Sequence, residues 1–237
     1  MTTRFYLHAT NSTVSGTLPL TKQSSQTYNG SIDSVSTSKR TMNTTIGTAQ
    51  TSLASASNAI GFGTTGILFV ARFISAPIYQ TSVAANTWNF SIAGKTTSVA
   101  DYHPNAGSGG VPVCLYVWRP SSGTKVGTIF DSSTASVTAP SSYTTEICTY
   151  TTFSGSAVSG VQNGDVIILE LLIKAVNNSN TFQYTNYFDG TTATTTNNTT
   201  VSNFAEFIET PENINFNASS PVVNNLFIVK ALFTADK

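Results

Sequence analysis

Side chains that could form a catalytic or metal centre are few in this chain and lie far apart. The histidines are His8 and His103, and His103 follows Asp101 by two residues, a spacing that could supply two metal ligands from one loop. Nothing nearby completes a third ligand, so we interpret His103 as an ordinary loop residue before a proline. No Gly-x-Ser-x-Gly turn is present to expose a nucleophilic serine. We therefore expect no metal ion, no cofactor and no catalytic triad.

Acidic residues could instead work in pairs, as in glycoside hydrolysis, where two carboxyl groups face one cleft about 5–9.5 Å apart. Four acids fall in strand-like stretches: Asp165, Glu170, Glu206 and Glu209. Glu170 is flanked by Ile and Leu, and burying its charge without a partner costs several kcal/mol. Arg72 and Lys174 are its candidate partners. Asp165 follows an Asn-Gly turn and is interpreted as a turn-capping acid. These patterns predict structural ion pairs and a protein that is not an enzyme.

The charge content is low and balanced. Lys and Arg number 11, Asp and Glu number 11, and charged residues make up 9% of the 237 positions, whereas ordinary soluble domains carry about 25%. Lys39–Arg40 is the single adjacent basic pair, so we expect no nucleic-acid partner. Apolar stretches stay well below the roughly 20 residues of a membrane helix, and no secretory signal pattern opens the sequence. We expect no membrane insertion.

Period-two alternation and β-branched or aromatic stretches dominate the sequence, whereas no window shows a sustained helical period. Clusters of Gly, Pro, Asn and Ser separate these stretches, a pattern typical of all-β sandwiches. Val166–Ile173 is nearly continuously apolar, which predicts a central strand covered on both faces. The predicted strands are Ile67–Ile74, Thr87–Ala93, Val111–Trp118, Thr124–Phe130, Thr145–Phe153, Asp165–Ala175, Phe182–Phe188 and Phe204–Glu209.

Both ends of the chain differ from this strand-rich middle. Residues 1–60 are rich in Ser and Thr with isolated apolar residues, which predicts an extended N-terminal arm that packs on the sheet. Residues 61–209 are predicted to form the sandwich domain. Residues 210–237 begin with a strand-breaking sequence and continue to the apolar stretch Leu226–Phe233. Because an unpaired apolar strand is an aggregation hazard, this C-terminal segment should add a strand to its own sheet or dock as an arm on a neighbouring subunit.

Two sets of residues are candidates for contacts with partners. Apolar residues of the C-terminal segment could form a subunit interface: Ile214, Phe216, Leu226, Phe227, Ile228, Val229, Leu232 and Phe233. Aromatic residues could instead contact a glycan: Trp88, Tyr102, Tyr184 and Tyr187. Cys114 and Cys148 fall in strand-like stretches and are interpreted as buried thiols, with a disulfide as the alternative.

Several short stretches together resemble a group of virion proteins of tailed bacteriophages. They are Thr3–Leu7, the Ser- and Thr-rich segment around Tyr28, Arg72–Ile74, Asn163–Glu170 and Asn203–Phe207. The resemblance extends from residue 1 to about residue 209 and does not include the segment that follows. It implies a jelly-roll-like antiparallel β-sandwich that decorates or cements the capsid or belongs to the tail, and it carries over no catalytic residue.

The function expected from the sequence is that of a non-enzymatic viral structural protein, a capsid decoration or cement protein that stabilises the head of a tailed bacteriophage. Its expected partners are the major capsid protein and other copies of itself in a trimer or dimer. Its expected location is the virion, assembled in the host cytoplasm. The alternative is a tail-fibre or receptor-binding module that recognises a host surface glycan.

Overall fold

A computed structural model describes residues 2–14, 39–54, 65–96, 110–131, 136–138, 147–176, 184–196 and 199–217. All regular secondary structure in these ranges is β-strand, which confirms the predicted all-β class. No helix that could span a membrane occurs among these residues. The strands are β1 (Thr3–Asn11), β2 (Lys39–Asn43), β3 (Thr51–Ala54), β4 (Thr65–Ile74), β5 (Ser82–Val83), β6 (Thr87–Thr96), β7 (Gly110–Arg119), β8 (Thr124–Phe130), β9 (Ser136–Thr138), β10 (Ile147–Ser154), β11 (Val158–Ser159), β12 (Val166–Val176), β13 (Tyr184–Phe188), β14 (Thr199–Thr200) and β15 (Phe207–Thr210).

Thirteen of these strands belong to one large mixed sheet. Its path runs β14-β10-β6-β15-β1-β2-β4-β12-β7-β8, while β13 pairs with β3 and β6, and β9 pairs with β7. Paired strands are antiparallel except β2 and β4, which run parallel. The remaining strands, β5 and β11, form a separate two-stranded ribbon. The all-antiparallel arrangement predicted from the sequence is therefore corrected, because β4 returns to the sheet in the same direction as β2, which requires a crossover connection.

The two ends of the strand path meet across the hydrophobic core, so the sheet is rolled onto itself. Trp88 of β6 packs edge-on against Phe130 of β8 with ring centroids 6.4 Å apart, and Phe153 of β10 packs 5.3 Å from the same ring. The Ser156 backbone N–H donates to the Ile129 carbonyl at 2.7 Å. The core takes side chains from ten strands of the large sheet. Their alternate positions point inward, as the pleat of a strand requires.

β12 is covered on both faces, as its continuous apolar sequence predicts. Every side chain from Val166 to Leu172 is at most 1% exposed. One face contributes to the main core, and its residues are Ile167, Leu169 and Leu171. The other face packs in a second cluster, and its residues are Val166 and Ile168 with Ile74, Tyr116 and Trp118. Burial on both sides removes the need for a polar face, which explains the lack of alternation in this stretch.

The described part of residues 1–60 does not form an arm that lies across the sheet. β1 is an interior strand between β15 and β2, with Thr3 opposite Thr210 and Leu7 opposite Met42. Phe5 and Leu7 are fully buried, whereas Arg4 and Tyr6, which alternate with them, are half-buried. The first residues therefore carry a period-two pattern that is short and easily hidden among Ser and Thr. Residues 1, 15–38 and 55–60 of the predicted arm lie outside the described residues.

The predicted boundary at residue 210 is not a structural boundary either. Ile214 is 4% exposed within the main core, and its backbone N–H donates to Thr3 Oγ1 at 2.8 Å. Phe216 packs edge-on against Phe5 with ring centroids 5.6 Å apart. The chain through Asn217 thus belongs to the same domain as β1. Ile214 is a core residue and the partly buried Phe216 packs against that core, so neither of them begins a separate docking arm.

Candidate functional site

Four adjacent strands present a polar and aromatic surface on the side of the sheet away from the core. The register places Arg4 of β1 opposite Glu209 of β15, and Glu209 opposite Asn89 of β6. Tyr150 of β10 lies one row away, opposite Ser91. Because side chains alternate along a strand, all of these residues share the outward face. We call this surface the Arg4 face, and its residues are Arg4, Tyr6, Asn89, Tyr150, Thr152 and Glu209.

A hydrogen-bond network joins the charged and amide groups of the Arg4 face. Arg4 Nε and Nη2 both donate to Glu209 Oε2, at 2.8 and 2.7 Å. The second oxygen, Glu209 Oε1, accepts a hydrogen bond from Asn89 Nδ2 at 3.2 Å. Asn89 Oδ1 in turn accepts one from the Thr152 hydroxyl at 3.0 Å. The network therefore spans all four strands and fixes the planes of the guanidinium, carboxylate and amide groups.

The guanidinium group of Arg4 also covers an aromatic ring. Its Cζ lies 4.1 Å from the ring centroid of Phe207, and the Tyr6 ring approaches the same ring edge-on at 6.1 Å. Burial opposes the charged form of Arg4, but hydrogen bonds to Tyr6 and Glu209 outweigh it and raise the pKa of Arg4. Burial and the nearby Glu209 charge raise the pKa of Tyr150. At neutral pH, Arg4 is therefore cationic and the Tyr150 phenol is neutral.

A cleft of about 530 Å³ opens beside Arg4 at the edge of this face. The Tyr6 ring and the Phe216 ring line it together with the exposed polar side chains of Thr2, Thr44 and Asn213. The volume lies within the range of about 300–1,000 Å³ that small-molecule sites occupy. The Arg4 face and this cleft together form the candidate site.

Two acids singled out in the sequence have structural roles. Glu170 Oε1 accepts hydrogen bonds from Arg72 Nε at 2.9 Å and from the Tyr116 hydroxyl at 3.0 Å, and Arg72 lies directly opposite Glu170 in the register. This pairing confirms Arg72 as a partner of Glu170. Asp165 accepts the Gln162 backbone N–H at 2.8 Å, and Arg119 donates to both of its oxygens at 3.0 Å. The turn-capping interpretation of Asp165 is confirmed.

Glu206 is the most unusual acid of the described chain. It is fully buried, and its Oε2 accepts a hydrogen bond from Asn186 Nδ2 at 2.5 Å. Its Oε1 and the Asn186 Oδ1 are both buried without a hydrogen-bond partner. Burial raises the pKa of Glu206 well above its usual value, although the Asn186 hydrogen bond acts in the opposite direction. If Glu206 carries a proton on Oε1, this group can donate a hydrogen bond to Asn186 Oδ1. That one hydrogen bond would give a partner to both Glu206 Oε1 and Asn186 Oδ1.

The buried cysteines are not suited to nucleophilic chemistry. Neither Cys114 nor Cys148 is in a disulfide, which confirms the buried-thiol interpretation. Cys148 Sγ lies 3.4 Å from Ser91 Oγ. Burial raises the pKa of Cys148 to about 11, so its thiol is protonated at neutral pH. Because the thiolate is the reactive form, Cys148 acts as a small core residue.

His8 joins three separate segments of the chain. Its Nδ1 is 2.7 Å from Asp189 Oδ1, and its Nε2 is 3.0 Å from the Thr45 carbonyl oxygen and 3.1 Å from Asn43 Oδ1. Asp189 Oδ2 also accepts the backbone N–H of Ala9 at 3.1 Å. No group of three or more His, Cys, Asp or Glu side chains in the described ranges could hold a metal ion. His8 therefore ties loops to β1.

The loop that reaches His8 depends on a glycine. A Cβ at Gly190 would collide with the backbone carbonyl of Asn203. We expect Gly190→Ala to lower the free energy of unfolding by about 3 kcal/mol or more, at the upper end of overpacking costs, because the contact is with backbone and forces the loop to shift. Gly123→Ala is the control, since Gly123 has φ of 65° and nothing within 4 Å of its Cβ position, and only a backbone cost of about 1–2 kcal/mol applies. Urea denaturation measures both, and an equal loss would contradict the steric explanation.

The glycan candidates from the sequence do not come together in one exposed group. Trp88 is fully buried, so its assignment as a surface contact is wrong, because alternation along β6 turns it toward Phe130. Tyr187 is half-buried, with Lys95 Nζ 5.3 Å from its ring centroid. Tyr184 opens β13, and Tyr102 lies outside the described residues. The interface candidates in Leu226–Phe233 also lie outside them.

Reasoning from the sequence singled out Glu209 and missed the other five members of the Arg4 face as site residues. Arg4 and Tyr6 fall in the segment assigned to the arm, and no distinguishing motif marks Asn89, Tyr150 or Thr152. The available signal was the alternation of Arg4 and Tyr6 with the apolar residues Phe5 and Leu7. That pattern predicts a two-faced strand at the N-terminus, but not the strand it pairs with.

Comparisons with known proteins give no family assignment. No family model matches the chain, and no curated protein matches it. Among solved structures, two crystal structures of a CocE/NonD family hydrolase from Staphylococcus aureus match at TM-scores of 0.47 and 0.48 with 9% identity. Each match covers 90% of this chain but 36% of the hydrolase, so the chain spans about a third of the length of that protein.

Both matched structures are described as hydrolases, so the expectation that this chain is not an enzyme is withdrawn. At 9% identity and TM-scores below 0.5, the likeness assigns neither an activity nor the absence of one to this chain, and it points to no reaction, substrate or catalytic residue. The candidate site therefore has to be interpreted from its own geometry.

Proposed function

We propose that this chain is a structural protein of a tailed-bacteriophage virion that decorates or cements the capsid. In this proposal a jelly-roll-like sandwich contacts the major capsid protein and further copies of itself, in a symmetric trimer or dimer. The resemblance of its short motifs to virion proteins and its all-β class support the proposal. Many weak contacts repeated over a shell would give avidity without a single strong site.

The observation that carries the proposal is that all four arginines are engaged inside the chain. Arg4, Arg72 and Arg119 each pair with an acid of a neighbouring strand or turn, and Arg40 donates to the Ala9 carbonyl at 2.6 Å. The sequence as a whole has a formal net charge of zero and 9% charged residues, so a surface of this chain is poor in charge. Such a surface suits close packing against neighbours better than long-range attraction of a charged ligand.

The described domain has little apolar surface with which to dock. Among the described residues, Ile46 is the large apolar side chain that reaches 36% exposure. The strongly apolar stretch Leu226–Phe233 follows the point where the described core is complete. We therefore assign the main apolar contact with a neighbouring subunit to this stretch, which would add its backbone to a strand edge of the neighbour.

Deletion of residues 218–237 tests this assignment. We expect the shortened protein to unfold cooperatively, with a free energy of unfolding within about 1 kcal/mol of that of the full chain. The reason is that Ile214 and Phe216 are kept, and changes at the surface usually alter the free energy of unfolding by no more than about 0.5 kcal/mol. We also expect at least a tenfold loss of co-sedimentation with capsids of the phage that encodes the chain. Full-length protein with Leu226→Asp and Phe233→Asp is the matched variant, because it keeps the chain length and loses the apolar contact.

Three results would overturn the proposal. The full chain could fail to co-sediment with the particles, or the shortened chain could co-sediment as well as the full chain. If the shortened chain were unfolded, residues 218–237 would be part of the fold of their own subunit and would not be the docking segment. A copy number in the hundreds per particle would support the proposal and exclude the receptor-binding alternative.

A further inference from the structure

We propose that the Arg4 face and the cleft beside it bind a neutral saccharide. The proposal is independent of the virion role, because it depends on the described side chains of β1, β6, β10 and β15 alone. A decoration protein and a saccharide site are compatible in one domain. The two tests also differ, since one measures association with particles and the other measures binding of a sugar.

The charge of the site favours a neutral ligand. Arg4 is the only cationic side chain of the Arg4 face, and its guanidinium already donates twice to Glu209 Oε2, at 2.8 and 2.7 Å. A phosphate, sulfate or carboxylate group bound to Arg4 would therefore lie within a few ångströms of the Glu209 carboxylate. Like charges at this separation repel. The site thus selects against anions although it contains an arginine.

The hydrogen-bonding groups of the site match hydroxyl groups, which donate and accept at once. Arg4 supplies donors, and Glu209 Oε1 supplies an acceptor that Asn89 Nδ2 holds in place at 3.2 Å. The Asn213 amide and the Thr44 hydroxyl at the cleft can do both. Adjacent hydroxyls of a sugar can engage such donors and acceptors in pairs. A purely apolar ligand would leave these groups without partners, at about 1–3 kcal/mol for each buried one.

The aromatic side chains supply the apolar part of the contact. Tyr6 belongs both to the Arg4 face and to the lining of the cleft, and its half-buried ring offers an apolar surface with a hydroxyl group. The Phe216 ring lines the same cleft. Tyr6 is held by its edge-on contact with Phe207, and Arg4 by Phe207 and Glu209. Since the groups are already fixed on strands, little conformational entropy is lost when a ligand binds.

The experiment is a glycan array with the intact chain, followed by titration calorimetry with the best neutral oligosaccharide. The array carries neutral oligosaccharides of glucose, galactose, mannose and N-acetylglucosamine together with sialylated and sulfated glycans. We expect saturable binding to a neutral member and at least a tenfold loss of affinity in Tyr6→Ala and in Asn89→Ala. Tyr79→Ala is the matched control, because Tyr79 is also half-buried but belongs neither to the Arg4 face nor to the lining of the cleft. We expect its affinity to be unchanged.

Variants that keep the fold make the test decisive. Tyr6→Phe retains the ring and removes the hydroxyl, so it should fold and bind several-fold more weakly than the parent chain. Absence of saturable binding to every neutral oligosaccharide would overturn the proposal. Preference for a sialylated or sulfated glycan would also overturn it, as would equal losses in Tyr79→Ala and Tyr6→Ala.

Discussion

Glu170→Leu is expected to lower the free energy of unfolding by about 3–5 kcal/mol, because it removes one partner of a buried ion pair. Arg72 is 2% exposed and Glu170 is 1% exposed. The guanidinium would lose its carboxylate at 2.9 Å, and the Tyr116 hydroxyl would lose its acceptor at 3.0 Å. Since a domain is stable by about 5–15 kcal/mol in total, this loss is a large fraction. The midpoint of urea denaturation measures it.

Glu209→Leu is the matched control for this prediction. It breaks the same type of Arg–Glu pair between adjacent antiparallel strands, but the Arg4 side chain is 35% exposed. Exposed pairs contribute about 0–1 kcal/mol. The double variant Arg72→Met/Glu170→Leu should recover most of the loss, because an apolar replacement of both partners removes the buried charge. If Glu170→Leu were no more damaging than Glu209→Leu, the pair would not be buried as the structure has it.

Glu206→Gln is expected to stabilise the protein at pH 8 and to leave it nearly unchanged at pH 4. Burial raises the pKa of Glu206, so the folded state keeps a proton that the unfolded state loses above its ordinary pKa. The stability contribution is therefore fully present below the unfolded pKa and is lost as the pH rises toward the folded pKa. A glutamine at this position resembles the protonated acid, because its amide can donate to Asn186 Oδ1 and its carbonyl can accept from Asn186 Nδ2.

Urea denaturation at a series of pH values checks the sign. The free energy of unfolding of the parent chain should fall as the pH rises, by up to about 1.4 kcal/mol per pH unit, which corresponds to one proton. This dependence on pH should be absent in Glu206→Gln. Glu206→Ala should lower the free energy of unfolding by about 1–3 kcal/mol, because the buried amide of Asn186 then loses its hydrogen bond to Glu206. Glu212→Gln serves as the control, because Glu212 is half-buried and accepts the Ala84 N–H at 2.9 Å. If the parent chain gained stability relative to Glu206→Gln between pH 5 and pH 8, the result would contradict a protonated Glu206.

The long strands were predictable because their patterns are local. All eight predicted strands are present, and β8 has the predicted bounds, Thr124–Phe130. Burial of Glu170 and the turn role of Asp165 also followed from neighbouring residues. Short strands were missed because three or four residues such as Thr51–Ala54 carry too little alternation to stand out. β1 was missed because its apolar positions were counted together with a long Ser- and Thr-rich segment.

The pairing of strands was not predictable, and the candidate site depends on it. Arg4 and Glu209 are 205 positions apart in sequence, and Glu209 meets Asn89 across 120 positions. Nothing in the sequence around Arg4 indicates that β15 is its neighbour. The same holds for Trp88, whose aromatic character suggested a surface contact. Its direction is set by the pairing of β6 with β10, which no local pattern encodes.

The pairing of β1 with β15 has a consequence for synthesis on the ribosome. β1 cannot acquire one of its two neighbours until residues 207–210 have been translated, and Thr3 receives its hydrogen bond from Ile214 later still. One edge of β1 must therefore stay without its native partner while the roughly 200 residues between β1 and β15 are made, and closure of the roll is a late, long-range event that slows folding. Chaperone dependence at high expression and poor tolerance of C-terminal truncation before residue 217 follow from this order of events.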